Sequence, residues 1–563
     1  MKRLHEMVAV VMLGVILLSG CTTDRSASSP PAAEPEPQVR VGITVNQVGY
    51  LPGAPKVATL YLPDESDTAP TRFRVVRADD GTEVLKGLLK GPLTEPEAGG
   101  RKAWLADFSA LKTEGTYKVR AGSSESPPFR IAANVFDDLF AKVTRSYYLQ
   151  RSGFLLDDPV TGLKHEACHL AKASLFEDKS VSLDVSGGWH DAGDYGKYIP
   201  PAAVTIGQLL LLYEVLPQAA EVKLQGTDLL SEVRYELDWM LKMQRSDGAV
   251  YHKVTTENFP GMIMPEADTA PLIIYPVGTA STGLFAGAMA RAARAFAPSD
   301  PAYAKRLGDA AKQAWRWLEK NRNLINPPVG NTGPYLSNSD HHAREWAAAE
   351  LFALTGEPSY ERYLLDNPRT TVGSINWERA SGLALFTYVA TPKADPAYRA
   401  KVEEVILAEA KRWVERAKEH PYGVALGVSE YVWASAKATQ AIGLHLIMAN
   451  RLRPDPAFLE VAAAQLDWVL GRNPLERSFV TGVGANPPKN PHHRLVIATG
   501  KMVPGLLVGG PNDRGQDRAV PKGLGARSYV DDNRSYSSNE PAIDYNAPLV
   551  FVAGWFALGH DFR

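Results

Sequence analysis

The chain has 563 residues, 45% of them hydrophobic and 22% charged, with a formal net charge of −2. That balance is globular and gives no broad basic field, which argues against nucleic acid as a partner. The two cysteines, Cys21 and Cys168, are too few for a disulfide scaffold, and the length calls for one large domain plus a smaller one.

The chain starts with Lys2, Arg3 and His5, then an apolar run from Met7 to Leu18, then Leu18-Ser19-Gly20-Cys21. The run is too short to span a bilayer and resembles a bacterial lipoprotein signal, in which cleavage before Cys21 leaves that residue diacylated. An uncleaved anchor helix is the alternative reading. Residues 1–21 are thus expected to be signal and lipidation site. Thr22 in place of aspartate points to the outer membrane if the source has two membranes. Residues 22–40 are Ser, Pro, Ala and Glu with almost no large apolar side chain, the composition of a flexible tether.

From 41 to 131 the texture is that of strands. "VGITVNQVGYLPGAPKVATLYL", "RFRVVRADDGTEVLKG" and "EGTYKVRAG" are β-branched and aromatic runs broken by Pro-Gly, Asp-Gly and Glu-Gly turns, which predicts a β-sandwich. From 132 to 563 apolar residues recur at helical spacing, as in "LLSEVRYELDWMLKMQRSDG", "STGLFAGAMARAARAFA" and "YRAKVEEVILAEAKRWVERAKE". Weaker candidates at 204–216, 377–389, 432–449 and 545–558 bring the total close to twelve. Some twelve helices joined by long Gly- and Pro-rich loops predict an (α/α)6 barrel with function at one rim. An α-solenoid is the runner-up, but no regular sequence period supports it.

Three loop clusters carry chemistry. "SGGWHDAGDYGKY" holds Asp191 and Asp194 in a turn that Gly193 and Ala192 can tighten. Trp189 and Tyr195 beside them suit stacking on sugar rings, although such rings are by default core and an Asp-x-Gly-Asp turn is more often a cap or cation loop. In "YVDDNRSYSSNEPAIDYNAPLV", Glu540 precedes a helix expected right after Pro541. It reads either as a first-turn glutamate or as an acid kept protonated by burial among Tyr536 and Tyr545, and the sequence leaves both open. In "SFVTGVGANPPKNPHHR", His492 and Arg494 can bind hydroxyls or fix a carboxylate, or form a solvated basic patch.

Together the clusters resemble glycoside hydrolase family 9, the cellulase family, in order and spacing: Ser478, Val480, Thr481, Gly484, Asn486, Pro491, His492 and Arg494, then Tyr529, Asp531, Tyr536, Glu540, Ala542, Asn546 and Ala547. "VNQVGYLPGAPK" is similar to the start of the immunoglobulin-like module that precedes the barrel in one branch. The resemblance implies inverting hydrolysis of β-1,4-glucan, with Glu540 as general acid, Asp194 as general base and Asp191 holding the water. It further implies His492 and Arg494 gripping the sugar, Asp531 assisting in the cleft, and Trp189, Tyr195, Tyr536 and Tyr545 contacting substrate. No cofactor is implied for the chemistry. In that branch a structural zinc is common, and here Cys168, His169 and His190 supply three donors while Ser152 stands where the fourth, a cysteine, is expected. Calcium is also common, and Glu266 and Asp268 are the candidate acidic pair. The expected protein is a monomeric, lipid-anchored, endo-acting β-1,4-glucanase. An exo-acting cellodextrinase, β-glucosidase or glucosaminidase of the same fold, and a non-catalytic glycan-binding lipoprotein, are the alternatives.

Overall fold

The computed structural model describes residues 41–63, 69–96, 100–559 and 561–562. The signal, the lipidation site Cys21 and the tether at 22–40 lie outside the described residues. Among the described residues no helix is long and apolar enough to cross a membrane.

Among the described residues ten strands make up the first part: β1 (Gly42–Thr44), β2 (Gly49–Tyr50), β3 (Val57–Tyr61), β4 (Arg72–Arg77), β5 (Glu83–Leu88), β6 (Lys90–Thr94), β7 (Lys102–Asp107), β8 (Gly115–Ala121), β9 (Ser124–Glu125) and β10 (Phe129–Ile131). One sheet runs β1-β3-β7-β6 and the other β2-β10-β8-β4-β5, with β9 on β8. Alternate side chains point inward, so Ile43, Leu60, Val75, Val119 and Ile131 fill the space between the sheets. At the centre Tyr50 meets Phe108 and Phe129 edge-on, each with ring centroids 5.4 Å apart. The immunoglobulin-like sandwich is as the turn-broken runs predict.

Fourteen α-helices follow among the described residues: α1 (Asp137–Leu149), α2 (Ile199–Val215), α3 (Leu229–Lys242), α4 (Thr279–Phe296), α5 (Pro301–Lys320), α6 (His341–Thr355), α7 (Pro358–Asp366), α8 (Ser381–Ala390), α9 (Pro396–Glu419), α10 (Ser435–Leu452), α11 (Pro456–Val469), α12 (Arg494–Thr499), α13 (Tyr536–Asn539) and α14 (Ile543–Leu558). Helices α2, α4, α6, α8, α10 and α14 are buried nearly all round and form the inner ring. Amphipathic α1, α3, α5, α7, α9 and α11 pack outside them. Helix α14 packs on α2, so the ring closes and the solenoid alternative is set aside. Three outer helices begin with Asp-Pro: Asp300, Asp395 and Asp455 each accept a backbone N–H of the first turn, and the proline after each spares an N–H that would go unpaired.

The "VNQVGY" stretch fastens the sandwich to the barrel. Asn46 Nδ2 donates to Asp467 Oδ1 at 2.8 Å with both side chains buried, and Gln47 Nε2 donates to the Glu476 carbonyl at 2.8 Å. Burial pushes the Asp467 carboxyl up to about 7, against the Asn46 hydrogen bond and the charges of Arg472 and Lys56. Replacing Asn46 by Leu leaves that carboxyl unpartnered. The variant should lose about 1–3 kcal/mol in guanidinium unfolding.

Candidate active site

At the rim where α6, α8, α10 and α14 begin, loops enclose a cleft of about 1740 Å³. The Asp191–Asp194 turn forms one wall and is fixed mainly by backbone. Asp191 N–H donates to the Gly196 carbonyl at 3.0 Å, and the Ile543 N–H of α14 donates to the Asp191 carbonyl at 2.8 Å. Behind it, Glu236 accepts the Trp189 N–H at 2.6 Å and Lys197 Nζ donates to the Val185 and Gly187 carbonyls, both at 2.7 Å.

Gly193 brings the three clusters together. Its N–H donates to Glu540 Oε1 at 3.2 Å, and its carbonyl accepts from the Arg494 N–H at 3.0 Å and Arg494 Nη1 at 2.9 Å. A Cβ here would lie 1.9 Å from the His492 carbonyl oxygen, so only glycine fits.

The carboxyls differ in their surroundings. Asp194 Oδ2 accepts from the Gly196 N–H and from the Tyr198 hydroxyl, each at 3.0 Å. Asp191 Oδ2 accepts from the Tyr335 hydroxyl at 2.5 Å, whereas its buried Oδ1 has no partner. Burial first, and then the charge of Asp194, push Glu540 up to about 8, against Arg494 and the Gly193 N–H. Burial also raises Asp194, but Arg494, Tyr198 and Gly196 hold it down. Asp191 is raised well above the usual range by burial and then by the charge of Asp194. The Asp191–Asp194 pair therefore resists double ionisation, and Asp194 is the member whose surroundings favour the anion.

Glu540 opens onto the cleft at the end of α13, held in place by its backbone: its carbonyl accepts from the Gly509 N–H at 3.0 Å. His492 and Arg494 also line the cleft. His492 is oriented by its Nδ1, 2.6 Å from the Asn533 carbonyl, and Arg494 Nε donates to the Pro260 carbonyl at 3.0 Å. Tyr536 and Tyr545 lie in the cleft wall, with Tyr536 and Trp433 forming an exposed aromatic pair 5.7 Å apart.

Other predicted positions lie elsewhere. Trp189 is core: its ring packs at a tilt against Tyr147, with centroids 4.6 Å apart, and its Nε1 donates to Glu232 at 3.3 Å. Tyr195 turns its hydroxyl to the Ile263 carbonyl at 2.6 Å and its ring to His169 and His190, away from the cleft lining. Asp531 is likewise not part of the lining. It accepts from Arg477 Nη1 at 2.9 Å and from the Lys489 and Asn490 N–H groups, and so clamps the loop that carries His492. The sequence reading did not place Tyr335, Trp377, Trp433 and Phe259 at the site, yet all four line it. Each lies outside the three motif clusters, so nothing in the sequence ties it to them.

Cys168, His169 and His190 do gather, with ligand atoms within 4.8 Å of one another; they are the one such group among the described residues. Asp268 Oδ2 lies 3.3 Å from His169 Nε2, so this carboxylate is committed to the histidine rather than to a calcium cage with Glu266. Ser152 is fully buried and its Oγ has no partner. A hydroxyl is a poor fourth donor beside thiolate and imidazole, so the set does not fit a closed tetrahedral zinc site.

A closed (α/α)6 barrel with a paired aspartate turn, a facing high-pKa glutamic acid and an aromatic cleft defines a glycoside hydrolase. The comparisons give the family: residues 136–553 match the model described as Glycosyl hydrolase family 9, and residues 38–126 match Cellulase N-terminal ig-like domain. The chain belongs to glycosyl hydrolase family 9. It is 34% identical over 539 residues to Endoglucanase D of Acetivibrio thermocellus, covering 91% of this chain and 83% of that protein. It is 33% identical over 550 residues to Cellodextrinase of Butyrivibrio fibrisolvens, covering 91% and 98%. Among solved structures, a metagenome-derived glycoside hydrolase family 9 endoglucanase matches with a TM-score of 0.88 and 42% identity, covering 92% of this chain and 99% of that one.

Phenylalanine at position 198 would remove one of the hydrogen bonds that favour the Asp194 anion. The acid limb of the kcat/KM profile in Tyr198→Phe should therefore move to higher pH, with the alkaline limb nearly unchanged.

Proposed function

We propose that the protein is an endo-acting, inverting β-1,4-glucanase in which Glu540 is the general acid and Asp194 the general base. The observation that carries this reading is the difference in surroundings between the two carboxyls. Glu540 is held protonated near neutral pH by burial and the charge of Asp194, while Arg494, Tyr198 and Gly196 favour the Asp194 anion. Inversion needs such an acid and base on opposite faces of the sugar, about 6.5–9.5 Å apart, with a water between them.

In the reaction, Glu540 gives its proton to the leaving glycosidic oxygen. Water attacks C1 from the opposite face, losing its proton to Asp194, with Asp191 beside it in the same turn. Both carboxyls end with reversed protonation and must exchange protons with solvent before the next turnover. His492 and Arg494 border the reacting sugar, and Trp433, Tyr536 and Trp377 offer faces for sugars along the cleft. Its volume, about 1740 Å³ and well above that of a small-molecule site, leaves room for sugars on both sides of the cleaved bond, which favours internal cleavage over release from chain ends. All these groups come from one chain, which supports action as a monomer. No step runs through a metal.

Glu540→Gln and Asp194→Asn should each lower kcat on unactivated β-glucan by about 10²–10⁴-fold, the usual worth of one acid or base, with binding of cellopentaose retained. NMR of the wild-type reaction should show α-anomers first, with rapid viscosity loss of carboxymethylcellulose. Retained anomeric configuration would remove the assignment of Asp194 as base. Small products without viscosity loss would favour the exo-acting alternative.

We further propose export and anchoring through a lipidated Cys21, on the strength of the short apolar run before Leu18-Ser19-Gly20-Cys21. Wild-type protein should partition with membranes and incorporate labelled palmitate. Cys21→Ser should do neither while keeping its specific activity.

A further inference from the structure

One of the two outer faces of the sandwich, that of sheet β1-β3-β7-β6, is turned to the barrel. Thr59 Oγ1 of β3 donates to the Pro421 carbonyl at 2.7 Å, and the Tyr422 hydroxyl donates to Glu95, just after β6, at 2.7 Å. The outer face of β8, β4 and β5 in the other sheet lies across the sandwich core from that contact and is exposed along β4 and β5.

This second face is basic. Alternation along the strands points Arg72 and Arg74 of β4, Lys86 and Leu88 of β5, and Lys118 and Arg120 of β8 away from the core. The register then sets like charges side by side: Arg74 stands opposite Lys86 on one side and Arg120 on the other. Neighbours of the same sign across strands destabilise a sheet unless something anionic covers them. Two carboxylates share the face, Glu83 and Glu125, and Glu125 is taken by Arg120 at 2.8 Å and Lys118 at 3.7 Å. Asp80, in the turn between β4 and β5, accepts the Thr82 N–H at 2.8 Å. Among the described residues neither Arg72 nor Lys86 has a carboxylate partner.

An apolar side chain stands among these cations. Leu88, opposite Arg72, is 64% exposed. Cations around an exposed leucine suit a lipid interface, which offers both phosphates and acyl chains, better than they suit a soluble polyanion. The place where the described chain begins points the same way. The Val41 N–H donates at 2.9 Å to Ser124 Oγ of β9, the strand that pairs with β8. Cys21 precedes Val41 by residues 22–40, which at full extension reach at most about 65 Å.

We propose that the outer face of β4, β5 and β8 docks the protein on an anionic lipid surface, with headgroup phosphates against Arg72, Arg74 and Lys86 and with Leu88 entering the interface. The proposal rests on the lipid anchor at Cys21 to bring the face to a membrane, and adds a second contact to it. Because the barrel meets the opposite sheet, docking leaves the barrel on the side away from the lipid.

The test uses the mature chain from residue 21 carrying Cys21→Ser, so that no acyl chain takes part. Binding is read by sedimentation with vesicles of phosphatidylcholine alone or of phosphatidylcholine and phosphatidylglycerol, two to one. The chain should bind the anionic vesicles at low salt, leave them at high salt and ignore pure phosphatidylcholine. Arg72→Gln with Lys86→Gln should weaken binding about thirtyfold while activity on β-glucan stays unchanged. Lys401→Gln with Lys411→Gln removes the same charge from exposed positions on α9 and should bind as the parent chain does. No binding to anionic vesicles, or equal losses in the two double variants, would overturn the docking face and leave the anchor standing. Tighter binding to soluble polygalacturonate than to the vesicles would also overturn it, giving the face to an acidic polysaccharide. Vesicle binding as expected, together with no palmitate labelling of the wild type in cells, would support the face and remove the anchor.

Discussion

The contact of the Gly193 peptide with Glu540 and Arg494 is the constraint on which the rest of the site depends. In the proposed mechanism a proton donor and a proton acceptor from residues almost 350 positions apart face each other across one sugar, and no local structure can do that. The chain solves it with backbone groups, which have little conformational freedom to lose: the Gly193 N–H reaches Glu540, and its carbonyl takes two hydrogen bonds from Arg494. The His492 carbonyl leaves no room for a Cβ at 193. Rigid carriers of this kind keep reacting groups within the tolerance that proton transfer demands.

Close packing of carboxyls then does chemical work. Three buried acids beside one another cannot all ionise, so each one's surroundings decide which gives up its proton. Arg494, Tyr198 and Gly196 favour the anion at Asp194, whereas the charge of Asp194 adds to burial in raising Glu540 to about 8. Arg494 has a double part, as cleft wall and as the positive charge that keeps both shifts within a useful range.

The sandwich contributes to this site at a distance. Through Asn46 and Gln47 it fastens the segment around Asp467 to Asn486, and Asp531 clamps the 489–490 backbone a few residues on. The run that leads into His492 and Arg494 is thus fixed twice, by the sandwich at Asn486 and by Asp531 at 489–490. A β-module with no catalytic residue of its own is in this way part of the scaffold of the active site.

Periodicity and turn chemistry made much of the fold legible. Inner and outer helices differ in how far round their apolar faces extend, and Asp-Pro or Gly marks many of their ends; the weakly amphipathic inner helices were the harder ones to see because burial on all sides erases the 3.6-residue pattern. Strands β6, β7, β9 and β10 lie outside the runs that the sequence marks, since pieces such as "KGPLT" and "FRI" are too short to show clear alternation. At the site, Asp191, Asp194, Glu540, His492 and Arg494 stand out as polar residues in dense motifs, but their roles come only from the resemblance to the family, since chemical type alone leaves caps, cation loops and solvated patches open. The sequence could not separate stacking aromatics from core ones. Trp189 and Tyr195 lie in the motif yet face inward, and Tyr335 and Trp433 lie far from it yet face the cleft, because a ring's direction is set by the elements packed against it. Nor could it assign acid and base by environment, since the pKa of a carboxyl depends on neighbours that only the closed barrel brings within range.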